Sequence, residues 1–260
     1  MTPWPSSALQ SLSWPVEVLL AAWLLAVIAI PVLGWMGGRP TETRGILAGV
    51  ILQASLVAAI LMPAWGPVRT LWTVAVVLSL GWLAETIGSH TGFPFGRYAY
   101  SDRLQPQIGG VPLLIPVAWL MMLPPAWAIG GAIAGSYSGP FFVLASATAF
   151  TAWDLFLDPQ MVAWGMWTWR PGPSARGARR NGYFGIPWTN YAGWLGVSAL
   201  ITWVCTPSQV PSTTPWDALI LVYALTGALE AFGQAVFWQL RGPALVGALG
   251  MGLCLLCAVL

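Results

Sequence analysis

Eight stretches of this chain run for about 20 residues with almost no charge, and their spacing limits what the chain can become. A helix needs about 20 mostly apolar residues to cross the hydrocarbon core of a bilayer. Only helices and closed barrels satisfy their own backbone there. The stretches cover 15–36, 44–63, 69–88, 109–131, 139–163, 186–206, 216–237 and 243–260. Charged residues are 7% of the chain, against about 25% in soluble domains. The expected fold class is an all-α polytopic membrane helix bundle of about eight transmembrane helices, one integral membrane domain over 1–260. The eighth stretch is short, and Pro112, Pro116, Pro124 and Pro125 interrupt the fourth. Seven crossings are therefore the alternative.

All ten basic residues are arginine. With eight crossings, nine of them fall in loops on one face, and only Arg69 falls on the other. The positive-inside rule then makes that face cytoplasmic and puts both termini outside, in a multi-pass protein of the inner (cytoplasmic) membrane. The first residues carry no positive n-region, so a cleaved signal peptide is not expected.

The missing residue types exclude several chemistries. Without lysine there is no Schiff base and no Walker A phosphate site. No strand is expected, and no G-x-G-x-x-G follows one, so a Rossmann dinucleotide site is out. One histidine and scattered acids do not make a zinc site. Cys254 and Cys257 form a C-x-x-C inside an apolar helix, where packing is the simpler role. No cofactor, no metal and no nucleic acid partner is expected.

Four of the eight acidic residues lie inside apolar stretches: Glu85, Asp154, Asp158 and Glu230. Each costs about 2.5–3.5 kcal/mol to insert, so it should face the bundle interior. Eight crossings put all four at a similar depth. Thr151, Asp154 and Asp158 share one helical face, as do Thr226, Glu230 and Gln234. Asn190 and Tyr191 can reach the same layer, and His90 follows the third stretch closely. Two carboxylates four residues apart in a low dielectric cannot both ionise easily. Pro159 disfavours helical geometry at Asp158 and should widen a partly wet pocket there. Structural pairing with Arg97 or Arg103 is the competing explanation for each acid alone.

The chain has 18 tryptophans. An aromatic belt at the interface accounts for many, and Trp164, Trp167 and Trp169 fit it. Trp82, Trp153 and Trp194 lie nearer the carboxylates and could line a site, where an aromatic face stabilises a cation.

Four motifs in order, "AETIGSHTGFPFGRYAY" (84–100), "GGVPLLIPVAW" (109–119), "WDLFLDPQMVAWGMWTW" (153–169) and "GYFGIPWTNYAGW" (182–194), resemble the CruF-type membrane carotenoid hydratases. The resemblance covers about 80–195. It implies addition of water to the terminal isopropylidene double bond of an acyclic carotenoid end group, such as that of lycopene, γ-carotene or a bacterioruberin-type precursor, giving a tertiary alcohol. It also implies a carotenoid substrate, water, the lipid bilayer and association with other carotenoid-biosynthesis enzymes. On that chemistry, Asp154 or Asp158 donates the proton, and its partner or Glu85 positions the attacking water. His90 and Asn190 orient water and acid. Trp82, Trp153, Tyr191 and Trp194 line the substrate, Tyr98 and Arg97 close the mouth, and Glu230 contributes from outside the matched stretch.

Two other classes compete. Asp154-x-x-x-Asp158 resembles part of a prenyltransferase aspartate motif that holds Mg²⁺ and a diphosphate, but no second such motif exists. A proton-coupled transporter would also use intramembrane acids and proline-broken helices.

Overall fold

The structure, a computed structural model, describes residues 13–169, 182–206 and 210–260. Six helices appear among them: α1 (Trp14–Thr91), α2 (Leu114–Ala134), α3 (Gly139–Ala163), α4 (Trp188–Cys205), α5 (Trp216–Val236) and α6 (Arg241–Val259). Five are long and apolar enough to cross a membrane; α4, with 18 residues, is not one of them.

This corrects the expected count of eight, or seven. The crossings expected over 15–36, 44–63 and 69–88 form one 78-residue element, α1. Its prolines do not open loops. Pro40 and Pro67 follow closely on Gly38 and Gly66, which leave helical geometry at φ 66° and φ 73°. Glycine takes such a φ without steric cost, and proline is tolerated in the first turn after it. The chain therefore changes direction within a residue or two. It folds back at Gly38, because a methyl group on Gly45 would meet Ile30 and Leu33, and one on Gly49 would meet Val27. The sidedness inferred for the termini came from eight crossings and goes with that count. Arg170, Arg176, Arg179 and Arg180, which also supported it, lie outside the described residues.

The outer faces carry the apolar residues a soluble protein would bury. Leu25, Trp203 and Leu249 are each more than 60% exposed (70%, 69% and 64%). An apolar surface of this kind faces lipid, and the chain is a multi-pass membrane protein.

Helix α2 is the axis of the bundle and touches all five other helices. Its prolines do not break it. Pro116 falls in the first turn, where its missing N–H has no helical acceptor. Pro125 leaves the Met121 carbonyl without its helical donor, and the Gln53 amide of α1 supplies one at 3.4 Å. Likewise Pro159 leaves the Leu155 carbonyl free, and the Tyr183 hydroxyl donates to it at 3.2 Å. Helix α3 runs straight through Asp158 and Pro159, so the expected break there is absent. Neighbouring elements re-satisfy the freed backbone, as the apolar interior requires.

Strands are present, contrary to expectation, though all are short. Gly92 ends α1 in the left-handed region, its N–H bonded to the Gly88 carbonyl at 2.8 Å. Pro94, Gly96, Pro106 and two glycines at 109 and 110 then forbid helix up to α2. In that interval lie β1 (Tyr98–Tyr100), β2 (Gln107–Ile108) and β3 (Val111–Pro112). The last two pair with each other, while β1 pairs antiparallel with β4 (Trp167–Trp169), just after α3.

Candidate active site

Strand geometry builds the roof of the site. In both β1 and β4 an aromatic residue alternates with a small one, Tyr-Ala-Tyr against Trp-Thr-Trp. Side chains alternate faces along a strand, so each aromatic pair shares one face. The register pairs Tyr98 with Trp169 and Tyr100 with Trp167. Ring centroids lie 5.5 Å apart in the first pair and 5.6 Å in the second. All four rings line one cavity, with about 690 Å³ of atom-free space including its mouth.

Below the roof, two carboxylates from different helices face that cavity: Glu85 of α1 and Asp158 of α3. Three donors converge on Glu85. Tyr98 donates to Oε2 in a short bond, Tyr100 to the same oxygen at 2.8 Å, and the Trp119 indole to Oε1 at 3.1 Å. Burial first, and the Glu85 charge second, push both phenols above their ordinary range, so they remain donors.

Asp158 accepts from the Trp167 indole at 3.0 Å and, in a short bond, from the Asn190 amide. The same amide nitrogen donates to Asp154 at 2.8 Å. One side chain of α4 thus uses both its hydrogens to bridge two carboxylates one helical turn apart. Asp154 is fully buried behind Asp158, does not line the cavity, and its second oxygen has no partner among the described residues. Tyr183 lies close enough for the Asp154 charge, after burial, to help push its phenol up to about 12. Close packing fixes α4 here, since a methyl group on Gly193 would sit 2.7 Å from the Phe95 ring.

The remaining wall is aromatic. Trp119 stacks on Trp194 at 4.9 Å, and Trp153 meets Trp194 edge-on at 5.9 Å. All three line the cavity. Trp153, Trp194, Tyr98, Asn190, Asp158 and Glu85 therefore come together, with Asp154 directly behind.

Other expected residues do not join them. His90 is exposed, its Nδ1 2.8 Å from the Thr86 carbonyl. Five residues beyond Glu85 places it about 140° around the helix. Arg97 is exposed because it neighbours Tyr98, and successive residues there point to opposite sides. Trp82 turns its indole to the Ile108 carbonyl at 3.1 Å and does not line the cavity. Tyr191 is buried against Tyr183 and Trp188, outside the cavity, and the Thr151 hydroxyl donates back to the Ala147 carbonyl of its own helix at 2.8 Å. Glu230 lines a second cavity with Gln53, Gln160 and Thr226.

Sequence reasoning missed Tyr100, Trp119, Trp167 and Trp169. It left Trp167 and Trp169 to an interfacial belt, yet Trp167 is 5% exposed and bonded to Asp158. The period-two alternation of Tyr-Ala-Tyr and Trp-Thr-Trp was the available signal. Nothing in the spacing marked Trp119.

The family model for "carotenoid biosynthesis protein" matches residues 45–254, which include every residue of this site. The chain belongs to that family. Among curated proteins, a bisanhydrobacterioruberin hydratase of Haloarcula japonica is 32% identical over 114 residues. Those residues are 43% of this chain and 36% of that protein, so the match spans little more than a third of the relative's length. No solved structure matches this chain.

Proposed function

We propose that this family member is a carotenoid 1,2-hydratase, a hydro-lyase acting on the terminal isopropylidene double bond of an acyclic carotenoid end. The observation that carries the reading is the pair of carboxylates, Glu85 and Asp158, facing one cavity from two helices among aromatic side chains. The relative named a hydratase points the same way.

Asp158 is the proton donor in this proposal, because it reaches the cavity and Asp154 does not. The two aspartates share one proton, since like charges this close resist double ionisation. That proton is on Asp158 when the alkene is bound, Asp154 is the ionised partner behind it, and Asn190 keeps the pair aligned. Asp158 gives its proton to the less substituted alkene carbon. The π electrons form the new C–H bond, and positive charge develops on the dimethyl carbon.

That cation needs a face that stabilises charge without attacking it. Trp119, Trp153 and Trp194 offer π faces, each worth about 0.5–2 kcal/mol. Glu85 supplies fixed negative charge, held by three donors that leave its carboxylate little freedom. Water adds through its oxygen to the dimethyl carbon. Its surplus proton passes to Glu85 and then back to the aspartate pair, so no proton is consumed. The polyene enters from the bilayer of the cell's inner membrane, and the site needs no cofactor for these steps.

The diphosphate reading gains nothing from the cavity, which no arginine lines among the described residues. Hydration is tested by expressing the chain in a host that makes lycopene or γ-carotene and weighing the pigments. A pigment heavier by one water supports it. Unaltered pigment across several end groups, with the chain present in the membrane, rejects it.

A further inference from the structure

Hydration needs water at a site whose other substrate arrives through hydrocarbon, and three adjoining cavities trace a way in. The second cavity, about 590 Å³ of atom-free space including any opening, shares Ile46, Val50, Met121 and Met161 with the carboxylate cavity. The third, about 890 Å³ and open, holds Arg39 and Glu42 beside the Gly38 reversal, and shares Trp164 and Trp238 with the second. These shared walls put the Glu230 chamber between a charged end of the bundle and the carboxylates.

The middle chamber is polar where lipid packing would favour apolar side chains. Gln53 and Gln160 are 3% and 2% exposed. Gln53 donates to the Thr226 hydroxyl at 3.1 Å, and Gln234 donates to Gln160 at 3.0 Å and toward Glu230 at 3.4 Å. Three helices contribute these groups, and polar groups buried in a membrane cost several kcal/mol unless they are bonded or line a wet cavity. The proposed reaction on Asp158 and Glu85 uses none of them.

Trp164 meets Trp238 edge-on at 5.1 Å, and the Trp238 indole donates to Glu42 at 3.0 Å. Trp238 rests on Gly233, where any side chain would strike its ring. The Glu42 bond is the hydrogen bond that ties its indole among the described residues. The inner wall includes two methionines, whose unbranched side chains repack easily.

We infer that water reaches the carboxylate cavity from the Arg39–Glu42 end, through the Glu230 chamber, with the Trp164–Trp238 pair as its outer gate. The inference rests on the hydration reading for its purpose but not for its test. Thr226→Cys and Gln53→Cys are placed separately in a chain carrying Cys205→Ala, Cys254→Ala and Cys257→Ala. The purified protein, in lipid nanodiscs, is treated with a cationic methanethiosulfonate that travels only through water. Leu249→Cys, on the lipid face, is the control. Labelling at Thr226→Cys or Gln53→Cys should outpace the control several-fold, and Trp238→Ala should raise it several-fold again. If the folded protein resists the cationic reagent at both positions, even with Trp238→Ala, the route is overturned. Labelling by a lipophilic maleimide alone overturns it too, because the chamber then holds lipid. Labelling needs no turnover. A chamber that labels in a chain making no hydrated pigment rejects hydration and leaves the route standing.

Discussion

Trp167→Phe isolates one hydrogen bond at the proposed acid. The indole N–H reaches Asp158 Oδ1 at 3.0 Å, while the ring packs edge-on against Tyr100 at 5.6 Å in the β1–β4 ribbon. Phenylalanine keeps an aromatic ring in that slot and removes the donor. Among the described residues Asp158 then retains Asn190 alone as a donor, so its carboxylate is less stabilised after it gives up the proton. A hydrogen bond to a charged group is worth about 1.5–3 kcal/mol. If that stabilisation is present in the transition state, hydration slows by about 10- to 150-fold. The smaller ring also leaves a partial void, costing about 1 kcal/mol of stability, too little to unfold the protein. The assay is conversion of lycopene by membranes, followed by chromatography and mass, with the enzyme quantified by immunoblot. Wild-type turnover in a folded Trp167→Phe protein would refute the role assigned to this bond.

Further outcomes follow from the same geometry. Asp158→Asn removes the cavity-facing member of the aspartate pair and should abolish hydrated product, with membrane content unchanged on immunoblot; product at the normal level would move the acid elsewhere. Asn190→Leu strips the shared donor from both aspartates, and should lower the melting temperature in detergent and cut turnover more than Trp167→Phe does; an unaltered melt would mean the bridge contributes little. His90→Ala, at an exposed position outside the cavity, should leave turnover near normal in the same membrane assay. The Tyr98 and Tyr100 phenols keep their protons above the unfolded value near 10, so the folded state binds more protons there than the unfolded one. Their contribution is intact below about pH 10 and declines as pH rises beyond it. Absorbance titration should show two fewer late-ionising tyrosines in Tyr98→Phe with Tyr100→Phe than in the wild type, and an unchanged number would refute the assignment.

Helices α2, α3, α5 and α6 were legible in the sequence, because each is a charge-poor run of about the right length. The count failed at α1, where hydropathy cannot distinguish a loop from a one-residue reversal at glycine, and at α4, where the crossing expected over 186–206 is a helix of 18 residues that does not qualify as a span. The site was half legible. An acid in an apolar run cannot be solvated by lipid, so Glu85, Asp154 and Asp158 pointed inward on energetic grounds alone, and Asn190 followed from helix depth. Glu230 obeyed the same rule but faces another chamber, since depth does not specify direction around an axis. Trp119 and Trp167 were hidden because indole N–H groups look identical in sequence whether they meet headgroups or a buried carboxylate. What placed Trp167 was the β1–β4 ribbon, a pairing between segments about 70 residues apart in the chain (Tyr98↔Trp169), and what placed Trp119 was the packing of α2 against α1.

In the proposed reaction Asp158 delivers a proton to a carotenoid double bond and water completes the addition. Purified protein in nanodiscs, given lycopene in deuterium oxide, tests it most directly by product mass and by where deuterium enters. The expected product is a tertiary alcohol with one carbon-bound deuterium next to the carbinol carbon, and none is expected from the Asp158→Asn protein. An alcohol without that deuterium, or the same product from Asp158→Asn, would contradict it.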